Sequence, residues 1–80
     1  MNDQEVLGKL TRILRDLLGN DSIVLTPQTT RPEVSGWDSF NYVNFIVAVE
    51  SEFGIKFHLA DVESFATVGD IVKQIEVLKG

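Results

Sequence analysis

Cysteine is absent from the 80 residues, and histidine occurs once, as His58. Without cysteine the chain forms neither a disulfide nor a zinc-thiolate site, so any thiol that it uses must come from a cofactor. One histidine, with Asp61 and Glu63 nearby in sequence, offers too few ligands for a metal site. The sequence also lacks the G-x-S-x-G and G-x-x-x-x-G-K motifs of hydrolases and phosphate-binding loops. We therefore do not expect the chain to be an enzyme.

Basic residues are scarce as well: seven Lys and Arg stand against twelve Asp and Glu, a net charge of −5. The phosphates of a nucleic acid would be repelled by this balance, so no nucleic-acid partner is expected. Residues 33–70 hold most of the acids, with Lys56 as their one base. A field of this sign suits partners that present basic patches.

Long hydrophobic runs are missing, and the first residues, MNDQEVLGKL, are too polar for a secretory signal. We expect no membrane insertion and a cytoplasmic location. The length is that of one small domain with a single core. The prediction is a monomer with one domain over residues 1–80.

Apolar residues at spacings of three and four predict helices at both ends of the chain. Asn2 and Glu5 resemble a capping box for the first helix, and Gly19 follows its end. A capping-box variant of Thr67 and Asp70 begins the last helix. The apolar stripe of the first helix consists of Val6, Leu7, Leu10, Ile13, Leu14, Leu17 and Leu18. That of the last consists of Val68, Ile71, Val72, Ile75 and Leu78.

Between these ends, Asp38 can cap a second helix that runs to about Phe53, and a short helical turn is expected around residues 60–63. Residues 19–37 form a long connection broken by turn-forming residues. Its apolar run, residues 23–25, forms either a lone strand or, as we favour, a segment pinned onto the core. The predicted fold is all-α: a small four-helix bundle with three principal helices, one short helix and a long loop between the first two.

The second helix has two apolar faces when its residues are projected at roughly 100° each. The predicted core face consists of Tyr42, Phe45, Ile46, Val49 and Phe53. Phe40, Val43 and Val47 fall on nearly the opposite side, and we call them the apolar strip. Two readings stay open: the strip is an exposed binding surface, or loops cover it as part of the core.

Ser39 opens this second helix directly after Asp38. The unpaired N–H groups and partial positive charge of a first helical turn favour an anion, so a phosphodiester on this hydroxyl would be stabilised. Serine is also a common residue at a helix start with no further role. Position alone therefore leaves the modification of Ser39 undecided.

The segment GWDSF, residues 36–40, is followed by NYVNFIVAVESEFGIKF. It resembles the acyl carrier proteins and the carrier domains of polyketide and nonribosomal assembly lines, whose signature is Asp-Ser-Leu at the start of the second helix. The resemblance implies that Ser39 takes a 4′-phosphopantetheine arm from coenzyme A and carries acyl groups as thioesters in a fatty-acid, polyketide or other acyl pathway. The alternative is an unmodified helical protein-interaction module.

The resemblance also implies partners. Asp38 corresponds to the acid that the phosphopantetheinyl transferase contacts. The apolar strip (Phe40, Val43 and Val47), together with Glu50, corresponds to the surface for acyl-loading and acyl-processing enzymes. Whether the core hides a short acyl chain stays open. A third hypothesis is a small serine hydrolase that pairs Ser39 with His58.

Two departures from the family pattern stand close to Ser39. Phe40 replaces the usual leucine, and Asn41 and Asn44 occupy places where housekeeping carriers usually have acids. Charge-steered contact with basic enzyme patches should therefore be weaker near the arm. We hypothesise a specialised carrier that serves a dedicated pathway, such as secondary metabolism, lipopolysaccharide or a modified small acyl unit.

Overall fold

The computed structural model describes residues 2–80, and over this range it contains helices and no strand. The helices are α1 (Asp3–Leu18), α2 (Ser39–Phe53), α3 (Leu59–Ser64) and α4 (Val68–Lys79). A short 3-10 helix, Arg31–Glu33, interrupts the connection between α1 and α2. The predicted all-α bundle is confirmed. The 3-10 helix is not among the predicted elements, because a proline such as Pro32 breaks a helix interior but fits a first helical turn.

Local capping signals set the helix ends where the sequence predicted them. Asn2 Oδ1 accepts a hydrogen bond from the Glu5 amide at 2.8 Å, and Thr67 and Asp70 form a reciprocal capping box at α4. Gly19 and Gly54 end α1 and α2 in the left-handed conformation, with φ of 64° and 65°. Three of the four helices thus begin and end through contacts within a few residues.

The core lies where α1, α2 and α4 meet. It comprises Val6, Leu10, Leu14, Phe45, Ile46, Val49, Phe53, Val68, Ile71, Val72 and Ile75, together with three side chains from the α1–α2 connection, Ile23, Leu25 and Trp37. Leu78, the last residue of the predicted α4 stripe, is 38% exposed and lies outside this core. Residues 77–80 are all exposed, because α4 extends beyond the core.

The long connection is pinned to the helices rather than paired as a strand. Ile23 and Leu25 are buried while Val24 is exposed, which confirms the pinned reading. Pro27 O accepts a hydrogen bond from Gly69 N at 2.9 Å, and Thr29 O accepts one from Val68 N at 2.9 Å. A side chain at Gly69 would lie 2.8 Å from Pro27 O, so this contact requires glycine. The connection therefore supplies hydrogen-bond acceptors for the first two backbone amides of α4. These bonds hold the connection in place before it reaches α2.

Candidate functional site at the start of α2

Asp38 is the N-cap of α2, as predicted. Its Oδ1 accepts a hydrogen bond from the Asn41 amide at 2.9 Å, and the Asn41 side chain in turn donates to Gly36 O at 2.9 Å. These two bonds fix the turn through which the chain enters the helix. Ser39 follows as the first helical residue, so its position relative to the helix axis is well defined.

The Ser39 side chain is exposed, and among residues 2–80 its hydroxyl has no hydrogen-bond partner. Unpaired first-turn amides and the helix dipole give its surroundings a partial positive charge. His58 is exposed at the N-cap position of α3 and forms no hydrogen bond with Ser39. The Ser39 hydroxyl is therefore open to a modifying enzyme, while nothing beside it activates it as a nucleophile.

The apolar strip runs along the solvent side of α2, away from the core. Phe40, Val43 and Val47 are 75%, 57% and 58% exposed, whereas Phe45 and Val49 on the opposite side are fully buried. The predicted exposure of the strip is confirmed, and the interpretation in which loops cover it is wrong, while its role as a binding surface stays a prediction. Leu59, at the start of α3, is 72% exposed and adds an apolar side chain that the sequence analysis did not single out.

The two acids of α2 both contact other residues of the chain, Glu50 from a half-buried position and Glu52 from an exposed one. Glu50 Oε2 accepts a hydrogen bond from the Phe57 amide at 2.8 Å, which ties α2 to the segment before α3. Glu52 lies 3.7 Å from Lys9 Nζ and 3.8 Å from an Arg12 guanidinium nitrogen on α1. The partner-binding role of Glu50 stays a prediction. Its carboxylate has a structural role in the hydrogen bond to Phe57.

A cleft of about 510 Å³ opens beside Ser39, between α2 and α3. Val43, Leu59 and Val62 make its walls apolar, and Arg31 lies at one side with its guanidinium carbon 4.6 Å from the Tyr42 ring centroid. Burial raises the pKa of the Tyr42 phenol, an effect that the positive charge of Arg31 opposes. The phenol is therefore neutral, and it donates a 2.7 Å hydrogen bond to Val62 O.

Sequence reasoning missed Trp37 and Arg31 as parts of this site. Trp37 is 5% exposed and packs edge-on against Phe45, with ring centroids 5.1 Å apart. Both residues lie in the irregular connection, where no periodicity marks which side chains turn inward. Proximity of Trp37 to Ser39 in sequence was the one available signal.

Known proteins have similar sequences and a similar arrangement of helices. A family model described as a phosphopantetheine attachment site matches residues 8–75. An acyl carrier protein of Thermotoga maritima is 38% identical over 73 residues, which cover 91% of this chain and 90% of that protein. The chain belongs to the acyl carrier protein family. The solution structure of a holo acyl carrier protein from Geobacter metallireducens superposes with a TM-score of 0.84 at 36% identity, covering 91% of this chain and 84% of that one.

An acyl carrier protein is a carrier and not an enzyme, so the serine hydrolase hypothesis is wrong. The phosphopantetheine-binding domain of this family holds 4′-phosphopantetheine covalently. The start of α2 fits such a group, because it presents an exposed, unpaired hydroxyl beside a helix N-terminus that favours a phosphate. Within residues 2–80, no helix has both the length and the apolar character needed to cross a bilayer.

Proposed function

We propose that Ser39 is the residue that takes the arm, and that the chain acts as a single domain over residues 1–80 carrying acyl groups as thioesters. The observation that carries this proposal is the exposed, unpaired hydroxyl directly after the Asp38 cap. In the loading step Ser39 Oγ loses its proton and forms the phosphodiester, while the nucleotide half of coenzyme A leaves. The bound arm supplies the thiol that this cysteine-free chain lacks.

The residues around Ser39 have separate roles in this proposal. The first-turn amides of α2 offset the phosphodiester charge. Asp38 Oδ1 is occupied by the Asn41 amide, and Oδ2 is available to the phosphopantetheinyl transferase. The apolar strip, extended by Leu59, is the surface on which acyl-loading and acyl-processing enzymes rest.

The test of Ser39 is intact-mass measurement after incubation with coenzyme A, Mg²⁺ and a broad-specificity phosphopantetheinyl transferase. We expect the gain of one phosphopantetheine, lost in Ser39→Ala and kept in Ser51→Ala, a control at an exposed serine on the same helix. Absence of any mass gain would favour an unmodified interaction module, whose partner binding would be indifferent to Ser39→Ala.

We further propose that this carrier serves a dedicated pathway rather than bulk fatty-acid synthesis. Support comes from the surface of α2 near Ser39, where Asn41 and Asn44 carry no charge. The two acids of the helix, Glu50 and Glu52, both contact other residues of the same chain. Partner enzymes that fit this surface would present apolar and neutral polar groups rather than a basic patch.

Complementation of a bacterial strain depleted of its main carrier tests the pathway. We expect no rescue by the wild-type chain, although the same cells load it with the arm, as intact mass would show. Full rescue of growth would assign the chain to bulk fatty-acid synthesis.

We also propose that the chain is a monomer in the cytoplasm, which sedimentation and cell fractionation would check.

A further inference from the structure

Trp37 has a buried indole N–H with no acceptor. Its Nε1 is shielded from solvent, and it has no hydrogen-bond partner among the described residues. Buried indole N–H groups are normally paired, because an unpaired buried donor loses its bonds to water without replacement. The surroundings of Trp37 therefore point to an acceptor that comes from outside the protein chain.

Arg31 is a second donor without an acceptor. Its guanidinium is half-buried against Tyr42, and no described acid lies within ion-pair distance. Two carboxylates near Arg31 in sequence make other contacts through one oxygen each: Glu33 Oε1 accepts from Thr30 N at 2.7 Å and from Thr30 Oγ1 at 2.9 Å, and Asp38 Oδ1 accepts from Asn41 N. Glu63 lies on the outer wall of the cleft and is exposed, so water screens its charge.

Arg31 and Trp37 both line one small cavity, which is partly open to solvent. Its volume is about 20 Å³, and its walls include Thr29, Arg31, Trp37, Tyr42 and Phe65. Two of its hydroxyl groups already take part in hydrogen bonds: Thr29 Oγ1 accepts from Thr26 N at 2.9 Å, and the Tyr42 hydroxyl donates to Val62 O. A space of this size holds about one water-sized polar group and no hydrocarbon chain.

The cavity and the cleft beside Ser39 share part of their walls. Arg31, Tyr42 and Phe65 belong to the walls of both, and Ser39 borders the outer one. A group tethered to Ser39 thus meets Arg31 first and Trp37 behind it. Planar guanidinium and indole donors both suit an oxygen acceptor, and the positive charge of Arg31 selects an anionic one.

We propose that this cleft binds an anionic oxygen group brought in by the arm on Ser39, with Arg31 as the cation at its mouth and the Trp37 N–H as the inner donor. The inference rests on the proposed loading of Ser39. Two sources share the required chemistry: the phosphodiester of the arm itself, and a carboxylate at the far end of the acyl cargo.

The single tryptophan of the chain makes the test direct, because the protein has one indole N–H resonance. That resonance is recorded by ¹H–¹⁵N NMR in the unmodified protein and after loading with coenzyme A, butyryl-coenzyme A or succinyl-coenzyme A. The last two cargoes have the same chain length and differ in a terminal methyl against a terminal carboxylate. Intact mass first establishes that each sample is loaded.

A downfield shift on loading with coenzyme A alone would identify the phosphodiester as the source. If the shift appears only with the succinyl cargo, the source is the cargo carboxylate. In either case Arg31→Gln should remove the shift and Arg31→Lys should restore part of it, whereas Arg12→Gln, at an exposed arginine on α1, should leave it unchanged. Loading should also raise the melting temperature of the wild type by about 4–8 °C more than that of Arg31→Gln, as one net hydrogen bond predicts.

Loaded samples with no indole shift would overturn the inference and leave the role of Ser39 intact. Equal shifts with butyryl and succinyl cargoes, absent from the coenzyme A sample, would also overturn it, since the cleft would then favour apolar chains. A failure to load at all would overturn the proposed function and this inference together. Trp37→Phe, which keeps a ring against Phe45, should lose the loading-dependent rise in melting temperature.

Discussion

At the scale of single residues, Asp38 combines a structural and a recognition role that two substitutions separate. Asp38→Asn keeps an acceptor for the Asn41 amide and removes the charge, so stability should change little while loading by the transferase slows at least tenfold. Asp38→Ala also removes the cap and should lower the free energy of unfolding by about 1 kcal/mol. Urea unfolding and loading rates measure the two effects. Loading of Asp38→Asn at the wild-type rate would remove Asp38 from the transferase contact.

Asp70 gives the stability of the protein a pH dependence of known sign. Its carboxylate accepts from Ala66 N at 2.9 Å and Thr67 N at 3.1 Å, and these bonds hold its pKa below the usual value of 3.8. A carboxyl with a lowered pKa in the folded state stabilises that state above its unfolded pKa, and the benefit is lost as pH falls through the folded value.

We therefore expect Asp70→Asn to be less stable than wild type at neutral pH. The gap in melting temperature should shrink below about pH 4, where the carboxyl of the unfolded chain is protonated. Asp16→Asn, at an exposed position on α1, serves as the control and should show no such gap. A gap that stays constant down to pH 2 would contradict the role given to the Asp70 charge.

At the scale of the secondary-structure element, α2 carries valine on both its buried and its exposed face. The buried face serves stability, and the exposed face is proposed to serve partner binding. Val49 is fully buried and Val47, two residues earlier, is 58% exposed. Val49→Ala should lower the free energy of unfolding by about 2 kcal/mol through lost burial and a residual cavity. Val47→Ala should change it by less than about 0.5 kcal/mol.

Partner assays should show the reverse order. The proposed docking surface includes Val47, so Val47→Ala should raise the KM of the transferase or of an acyl-loading enzyme for the carrier, whereas folded Val49→Ala should leave it near the wild-type value. Thermal unfolding and steady-state loading kinetics on the same two variants give both comparisons. If neither variant changes KM, the apolar strip is not the docking surface.

At the scale of the whole molecule, the net charge of −5 and the uncharged residues Asn41 and Asn44 near Ser39 lead to a kinetic prediction. Electrostatic steering accelerates association by about 10–1,000-fold and is screened by salt. Because Asn41 and Asn44 replace acids near the arm, loading rates of the wild type should fall less than about tenfold between low salt and 0.5 M salt. The double variant Asn41→Asp, Asn44→Asp should load faster at low salt and show the steeper salt dependence. Equal salt dependence in the two proteins would refute the proposal that partner enzymes contact this surface without a basic patch.

The sequence by itself determined the features that depend on neighbours along the chain. Asn2, Asp38 and Thr67 cap the helices through residues three positions away, and Gly19 and Gly54 end them by their own backbone conformation. Such contacts are encoded locally, so the helix bounds, the two faces of α2 and the place of Ser39 at a helix start could all be predicted.

Only the tertiary structure decided which groups from distant segments meet. The solvent side of α2 is left uncovered because α1, α4 and the long connection pack against its other side. Glu50 and Glu52 are occupied by Phe57 on one side and by α1 on the other. The cavity joining Arg31 to Trp37 forms because the connection folds back onto the start of α4 through Pro27 and Thr29. Spacing along a chain does not predict such contacts, because they depend on how the elements pack around one core.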